Sequence, residues 1–367
     1  MANTIGILAD PEFPTEVAKH LEKELPIFLK EYVDKDISWQ VEMITNEIVS
    51  VAEDNNQLLD NIQKMQSKYD WHYTLCLTDL PTFDEKEIRL AQVDFKHQMA
   101  YISLPALGWF TKKRITKLAG HIFIDLYFNP TDNKDKNHIR YPKQIFLFNK
   151  IKKKPSSDHR THVVEYILSP RFFGYITVLS GMTHNNQPWT IMPSLKNVIA
   201  IAFGSGAYGM IFPTLWQLSY EYSALRLIAF TLLSIISLTL WIIQGHNLWE
   251  KPNLSKSQNY RNLYNTATFI TLLLAVGLFY IVLIFFFIIA ALIIVEPRYF
   301  AQQLSLSTEP TFFHYLQLAW LTTSVGTLTG AIGAILEDEE NVRQSTYGYR
   351  QRSRLDALKR RKDEAEE

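Results

Sequence analysis

Four apolar stretches, each long enough to cross a bilayer as a helix, constrain this chain more than anything else in it. They run from about 198–218, 225–245, 266–295 and 313–336. The hydrocarbon core is about 30 Å thick and a helix rises about 1.5 Å per residue, so about 20 apolar residues suffice. A soluble helix of such length carries a polar face, and these carry none. The third stretch exceeds the need, which implies tilt or projection beyond the bilayer. The sequence therefore predicts an all-α four-helix transmembrane domain over 198–336 and a charged tail over 337–367.

Lysine and arginine set the expected orientation, because cytoplasmic loops collect them. Lys251, Lys256 and Arg261 lie between the second and third stretches, and the tail carries Arg343, Arg350, Arg352, Arg354, Lys359, Arg360, Arg361 and Lys362. The connection between the third and fourth has only Arg298, and the one between the first and second ends at Arg226. Four spans with that asymmetry put both termini in the cytoplasm of a multi-pass cell-membrane protein. Trp189, Trp216, Tyr220, Tyr222, Trp241, Trp249, Tyr299 and Trp320 stand where interfacial belts are expected. Residues 170–182, with Phe172, Phe173, Ile176 and Leu179, read as an amphipathic stretch, either lying on the membrane or packed in the preceding domain. They fall in a juxtamembrane linker over 169–197.

The first half is different in kind. The whole chain balances 37 basic against 37 acidic residues, but charges are frequent up to about Arg171 and almost vanish from the four stretches. Short apolar runs at 4–9, 37–44, 71–77 and 99–104 read as strands, and 14–33, 55–68 and 111–128 as helices, with Pro26 as an expected kink. Alternation of this kind predicts a cytoplasmic α/β domain over 1–168, a doubly wound and mostly parallel sheet. Residues 144–148 and 163–168 are candidate added strands, and 131–138 a polar loop. The N-terminus lacks the basic flank and the long apolar run of a signal peptide. Cys76 is the only cysteine. It can form no internal disulfide and reads as a small buried hydrophobe, which fits a reducing compartment.

Function is less legible. Asp10 and Thr78-Asp79 each follow an apolar strand, where carboxyl ends converge on a ligand crevice. They read as a ligand site, or else as turn and cap residues. Lys150, Lys152, Lys153 and Lys154 form a basic cluster suited to anionic lipid, or a solvated loop. Gly204, Gly206 and Gly209 spell the dinucleotide fingerprint, but inside an apolar helix whose amides are already bonded, so they imply helix packing. Gly326, Gly330 and Ala334 recur every four residues and offer a smooth packing or oligomerisation stripe, while Thr322, Thr323, Ser324 and Thr327 suggest a polar pathway. Asn133-x-Asp135-x-Asn137 lacks the glycine and glutamate of a calcium loop. No metal set, catalytic motif or nucleic-acid signature is present, and the sequence leaves the cofactor open. The spans also hold essentially no ionisable group of the kind that proton relays and coupled carriers need.

Residues 4–14 (TIGILADPEFP), 75–81 (LCLTDLP), 102–108 (ISLPALG) and 347–352 (YGYRQR) together resemble a family of Gram-positive bacterial membrane proteins. These have a cytoplasmic N-terminal domain and four spans, and some members are labelled 5,10-methylenetetrahydrofolate dehydrogenase. That enzyme's Y-x-x-x-K and P-G-G-V-G-P patterns are absent, so the resemblance carries over no catalytic residue. The expectation is a homo-oligomeric membrane assembly, with a pore or channel as one form of it, and a cytoplasmic sensing or binding domain. The alternatives are a membrane-anchored enzyme with its site near Asp10 and Asp79, and a structural scaffold.

Overall fold

The computed structural model describes residues 2–46, 55–84, 87–128, 145–156, 162–250 and 258–334. The expected polar loop at 131–138, the Asn133–Asn137 motif and the tail lie outside them. The chain divides between Asn185 and Asn186 into two compact units.

The first unit is built on an eight-stranded sheet. Its strands are β1 (Ala2–Ala9), β2 (Ser38–Thr45), β3 (Tyr73–Thr78), β4 (Thr82–Asp84), β5 (Glu87–Asp94), β6 (Met99–Ser103), β7 (Lys150–Pro155) and β8 (Val163–Ser169). They run in the order β2-β1-β3-β6-β5-β8-β7, with β4 on β5. The first four are mutually parallel, as read from the sequence. The other half is antiparallel, so the sheet is mixed rather than mostly parallel. The reason is local. Residues 95–98 join β5 to β6 in a tight turn, and so short a connection permits only antiparallel pairing. Asp94 holds that turn, its Oδ1 accepting from the amides of Lys96 and His97 at 2.9 and 3.2 Å.

Helices cover both faces. α1 (Phe13–Tyr32) buries Val17, Leu21, Leu25 and Leu29 at helical spacing and continues through Pro26. It packs beside α3 (Thr111–Phe128). On the opposite face α2 (Asn55–Tyr69) places Leu59 and Ile62 against Leu8, Cys76, Met99 and Tyr101. The stretch at 170–182 forms most of α4 (Arg171–Asn185), which buries Gly174, Val178, Gly181 and Met182. α4 rests on β8, β5 and the helical turn Leu104–Leu107, and it therefore belongs to the sheet domain rather than to a separate linker. Residues 144–148 are not a strand among the described positions. The added strand is instead β7, the lysine run itself, at the sheet edge. Lysines there are a known guard against edge-to-edge pairing.

The second unit is helical: α5 (Lys196–Gly209), α6 (Pro213–Glu221), α7 (Ala224–Gly245), α8 (Gln258–Ile294), α9 (Pro297–Gln303) and α10 (Phe312–Ala334). Two helical segments, Ala224–Gly245 and Tyr260–Ile294, are long and apolar enough to cross a membrane, with mean hydropathies of 2.1 and 3.1. The first expected span is not one helix. α5 and α6 meet at 93°, because the chain breaks between Gly209 and Pro213, whose ring has no amide hydrogen to continue the ladder. The Trp216 indole donates to the Met210 carbonyl at 2.7 Å and satisfies a group that the break releases. α10 has the length of a span, but its Thr, Ser and Gly residues make it less apolar. It packs on α5, α7 and α8, and Leu238, Ile242, Phe279, Phe287 and Leu318 fill the shared core.

Candidate functional site

The strand order 2-1-3 reverses direction between β1 and β3, the topological switch point of a doubly wound sheet. Asp10 and Asp79 flank that point. The Asp10 amide donates to the Leu77 carbonyl at 3.1 Å, extending the β1–β3 ladder by one residue. Since Ala9 stands opposite Leu77 and Thr45, the next residues, Asp10, Thr78 and Asn46, come level. Thr78 in turn faces Ser103. The result is a polar row, Asn46–Asp10–Thr78–Ser103, across the carboxyl ends of four parallel strands. Asp10, Thr78, Asp79 and Ser103 are all buried.

Short-range bonds fix this edge. The Thr15 hydroxyl donates to the Asp10 carbonyl at 2.9 Å and meets the Thr45 hydroxyl at 3.1 Å. The Leu80 amide donates to Thr78 Oγ1 at 3.1 Å, and Ser103 Oγ donates to the Leu80 carbonyl at 2.7 Å. Thr78 and Ser103 thus hold the turn that carries Asp79. The Cys76 thiol is pushed well above its usual range, first by burial and then by the charge of Asp10. It is no nucleophile.

α1 and α3 both start at this edge, and α4 ends there. His184 of α4 meets Phe13 edge-on at 5.3 Å and Trp109 at 5.0 Å. Burial holds its imidazole below the ordinary range, and the Lys112 cation lowers it further. Lys112 pairs with Glu16 at 3.4 Å. Gly108 turns the chain into α3 at φ 73°, where a side chain would also crowd Arg114 and Thr177. Asn46, Ser103 and His184 did not emerge from the sequence. For the first two the signal was present, a polar residue closing an apolar strand. His184 had none, since only the packing of α4 brings it here. Among the described residues, no group of three or more His, Cys, Asp or Glu side chains is placed to hold a metal.

A second polar cluster lies in the antiparallel half. Arg89 and Glu165 form a buried ion pair at 2.8 Å, with Asp84 at 3.7 Å from the same guanidinium nitrogen. Tyr101 and Ser156 add hydrogen bonds at 3.3 and 3.0 Å. All four lysines of β7 are exposed, and two of them are engaged at their tips: Lys154 bonds Asp84 at 3.0 Å and Lys153 bonds Asp125 at 2.5 Å.

In the second unit the small-residue stripe of α10 seats α5 of the same chain. A Cβ on Gly330 would lie 3.1 Å from that of Ala202, and one on Gly333 2.8 Å from the Asn197 carbonyl oxygen. Gly206 faces Phe287, Gly204 has open space around it, and Gly209 meets only Leu215. Ala334 is buried, and its carbonyl lies 3.0 Å from His246 Nε2. Thr322, Thr323 and Thr327 donate to carbonyls one turn earlier at 2.6–2.8 Å. Ser324 joins a chain through Tyr280 (2.8 Å) and Thr231 (3.0 Å) to the Trp320 indole (2.7 Å). These hydroxyls are buried and bonded within the chain.

No protein-family model matches this chain, and neither does any curated protein or solved structure.

Proposed function

We propose that this is an oligomeric, integral membrane protein with four spans and cytoplasmic termini, whose α/β unit binds a small polar ligand at the β1–β3 switch point. The observation that carries the ligand reading is the polar row Asn46–Asp10–Thr78–Ser103, half-buried at Asn46 and buried from Asp10 to Ser103, at the edge where helix N-termini and strand ends converge. An acidic, hydroxyl-lined edge with aromatic neighbours suits a ligand that offers hydrogen-bond donors or a positive group. The row supports binding rather than catalysis, because its hydroxyls hold backbone and the nearby thiol is suppressed. For the spans, α7 and α8 supply the apolar length, α5 crosses before the chain turns into α6 along the interface, and α10 completes the set. With the α10 hydroxyls bonded inward, any pore runs between copies of the chain.

The test is thermal stabilisation of the detergent-purified full chain by a panel of amines, amino acids and polyols. Asp10→Asn abolishes the shift from whichever compound stabilises the wild-type chain, while the unliganded melting temperature changes little. A shift that persists in the Asp10→Asn, Asp79→Asn double variant overturns the site.

A further inference from the structure

The beginning of α4 and the segment before β7 gather an apolar surface and two cations in one place. Leu147, Phe148 and Phe172 are 87%, 72% and 71% exposed, and Ile176 is exposed one turn further along α4. Phe148 stacks on Phe173 with ring centres 5.7 Å apart, and Phe173 meets Phe172 edge-on. Asn149 Nδ2 donates to Thr177 Oγ1 at 2.7 Å and ties the segment to the helix. Lys150 lies opposite Ser169 in the β7–β8 register and Arg171 opens α4, so two exposed basic residues flank the rings. α4 is thus apolar on both faces, one buried against the sheet and the other uncovered. A helix apolar all round is normally covered all round. Only Asn186 and Gln187 separate its end from the first helical turn of the second unit at Pro188. Aromatic rings beside lysine and arginine, next in sequence to apolar spans, are the composition of an interfacial anchor on an anionic leaflet.

We propose that this surface docks the α/β unit on the cytoplasmic leaflet, with Phe148, Phe172 and Ile176 at headgroup level. Lys150 and Arg171 take the anionic phosphates. Lys153 and Lys154 take no part, being engaged by Asp125 and Asp84. The proposal rests on the membrane reading above.

Because Cys76 is buried, single cysteines introduced at exposed positions accept a spin label selectively. Three are placed in the full chain, reconstituted in nanodiscs of phosphatidylcholine with phosphatidylserine: Phe172→Cys, Leu232→Cys on α7, and Ile27→Cys on α1. Collision with oxygen reports bilayer depth, and collision with a nickel chelate reports water. Phe172→Cys is expected to favour oxygen, less strongly than Leu232→Cys in the span, while Ile27→Cys favours the chelate. Adding Lys150→Gln and Arg171→Gln lowers the docked-to-undocked ratio by roughly fivefold per lost charge in the anionic lipid, and not in pure phosphatidylcholine. An aqueous Phe172→Cys beside a lipid-facing Leu232→Cys overturns the docking alone. Aqueous readings at both positions overturn the membrane reading and the docking with it. Spin–spin broadening at Phe172→Cys that disappears on dilution with unlabelled chain assigns the surface to a second copy and overturns the proposal.

Discussion

A Cβ on Gly326 would lie 2.6 Å from the carbonyl oxygen of Ala202, so α10 and α5 touch backbone to backbone. The contact explains why α10 tolerates so many glycines. Without a hydrophobic drive between helices in lipid, close packing and hydrogen bonds hold them, and small residues permit both. Here that stripe is filled from within the chain.

Gly330→Leu should therefore damage the second unit itself rather than an interface between copies. Overpacking a filled site costs about 1–3 kcal/mol, and more where backbone is the obstacle. Gly204→Ala, into open space, should be neutral. Melting of both variants in detergent, followed by loss of monodispersity, checks the contrast. A smaller but equally heat-stable Gly330→Leu particle would show that the stripe also serves an interface.

The buried Arg89–Glu165 pair makes a second prediction. Removing one partner strands the other charge, at a cost of about 3–5 kcal/mol. Arg89→Ala should accordingly speed hydrogen exchange of the β5 and β8 amides far more than of β1 and β2. Glu165→Gln, which keeps an acceptor for the guanidinium, should do much less. Equal protection in Arg89→Ala and the wild type would show that the pair contributes nothing net.

This cluster also marks where sequence reading stops. β1, β2, β3 and β6 were legible because apolar runs end in turn residues such as Asp10 and Asp79. β5 was not, since Arg89 and Gln92 interrupt its run, and the burial of Arg89 depends on Glu165, a partner dozens of residues away. The lysines of β7 looked like a loop because an edge strand needs no apolar alternation of its own. The break at Gly209–Pro213 hid inside a continuous apolar pattern, which reports burial but not direction. Asp10 could be named as a candidate from its place after β1, yet the row it belongs to needed the strand register.

His184 gives a pH dependence with a definite sign. Its folded-state pKa is lowered by burial and by Lys112, so the unfolded chain takes up the proton first as pH falls. Where the unfolded state binds more protons, stability rises with pH. The first unit should lose stability as pH drops through about 6.5, the ordinary histidine value. His184→Phe keeps a ring between Phe13 and Trp109 and should flatten that part of the profile. Hydrogen exchange of the α4 amides at pH 5 and 8 measures it. A wild-type profile with the opposite slope would remove His184 from the account.

Topology is the prediction on which the functional reading most depends. The bent α5–α6 pair leaves two arrangements open. If α5 crosses, the chain spans four times and the tail lies on the same side as the α/β unit. If the pair dips in and returns, α7, α8 and α10 give three spans and opposite ends. α5 has 14 residues, about 21 Å at 1.5 Å per residue against a core of about 30 Å. It reaches the far interface only with help from the residues before Lys196, or from local thinning of the bilayer. Lysine and arginine put the segment after α7 and the tail on the cytoplasmic side in either arrangement, since both are basic while the connection from α8 to α10 is not, and the four-span solution is the one that keeps the α/β unit on that side too. Reporter tags within residues 255–259 and after Glu367 should both read cytoplasmic, and one at 305–308 external. A tag near the N-terminus on the opposite side from those two would convert α5–α6 into a re-entrant pair.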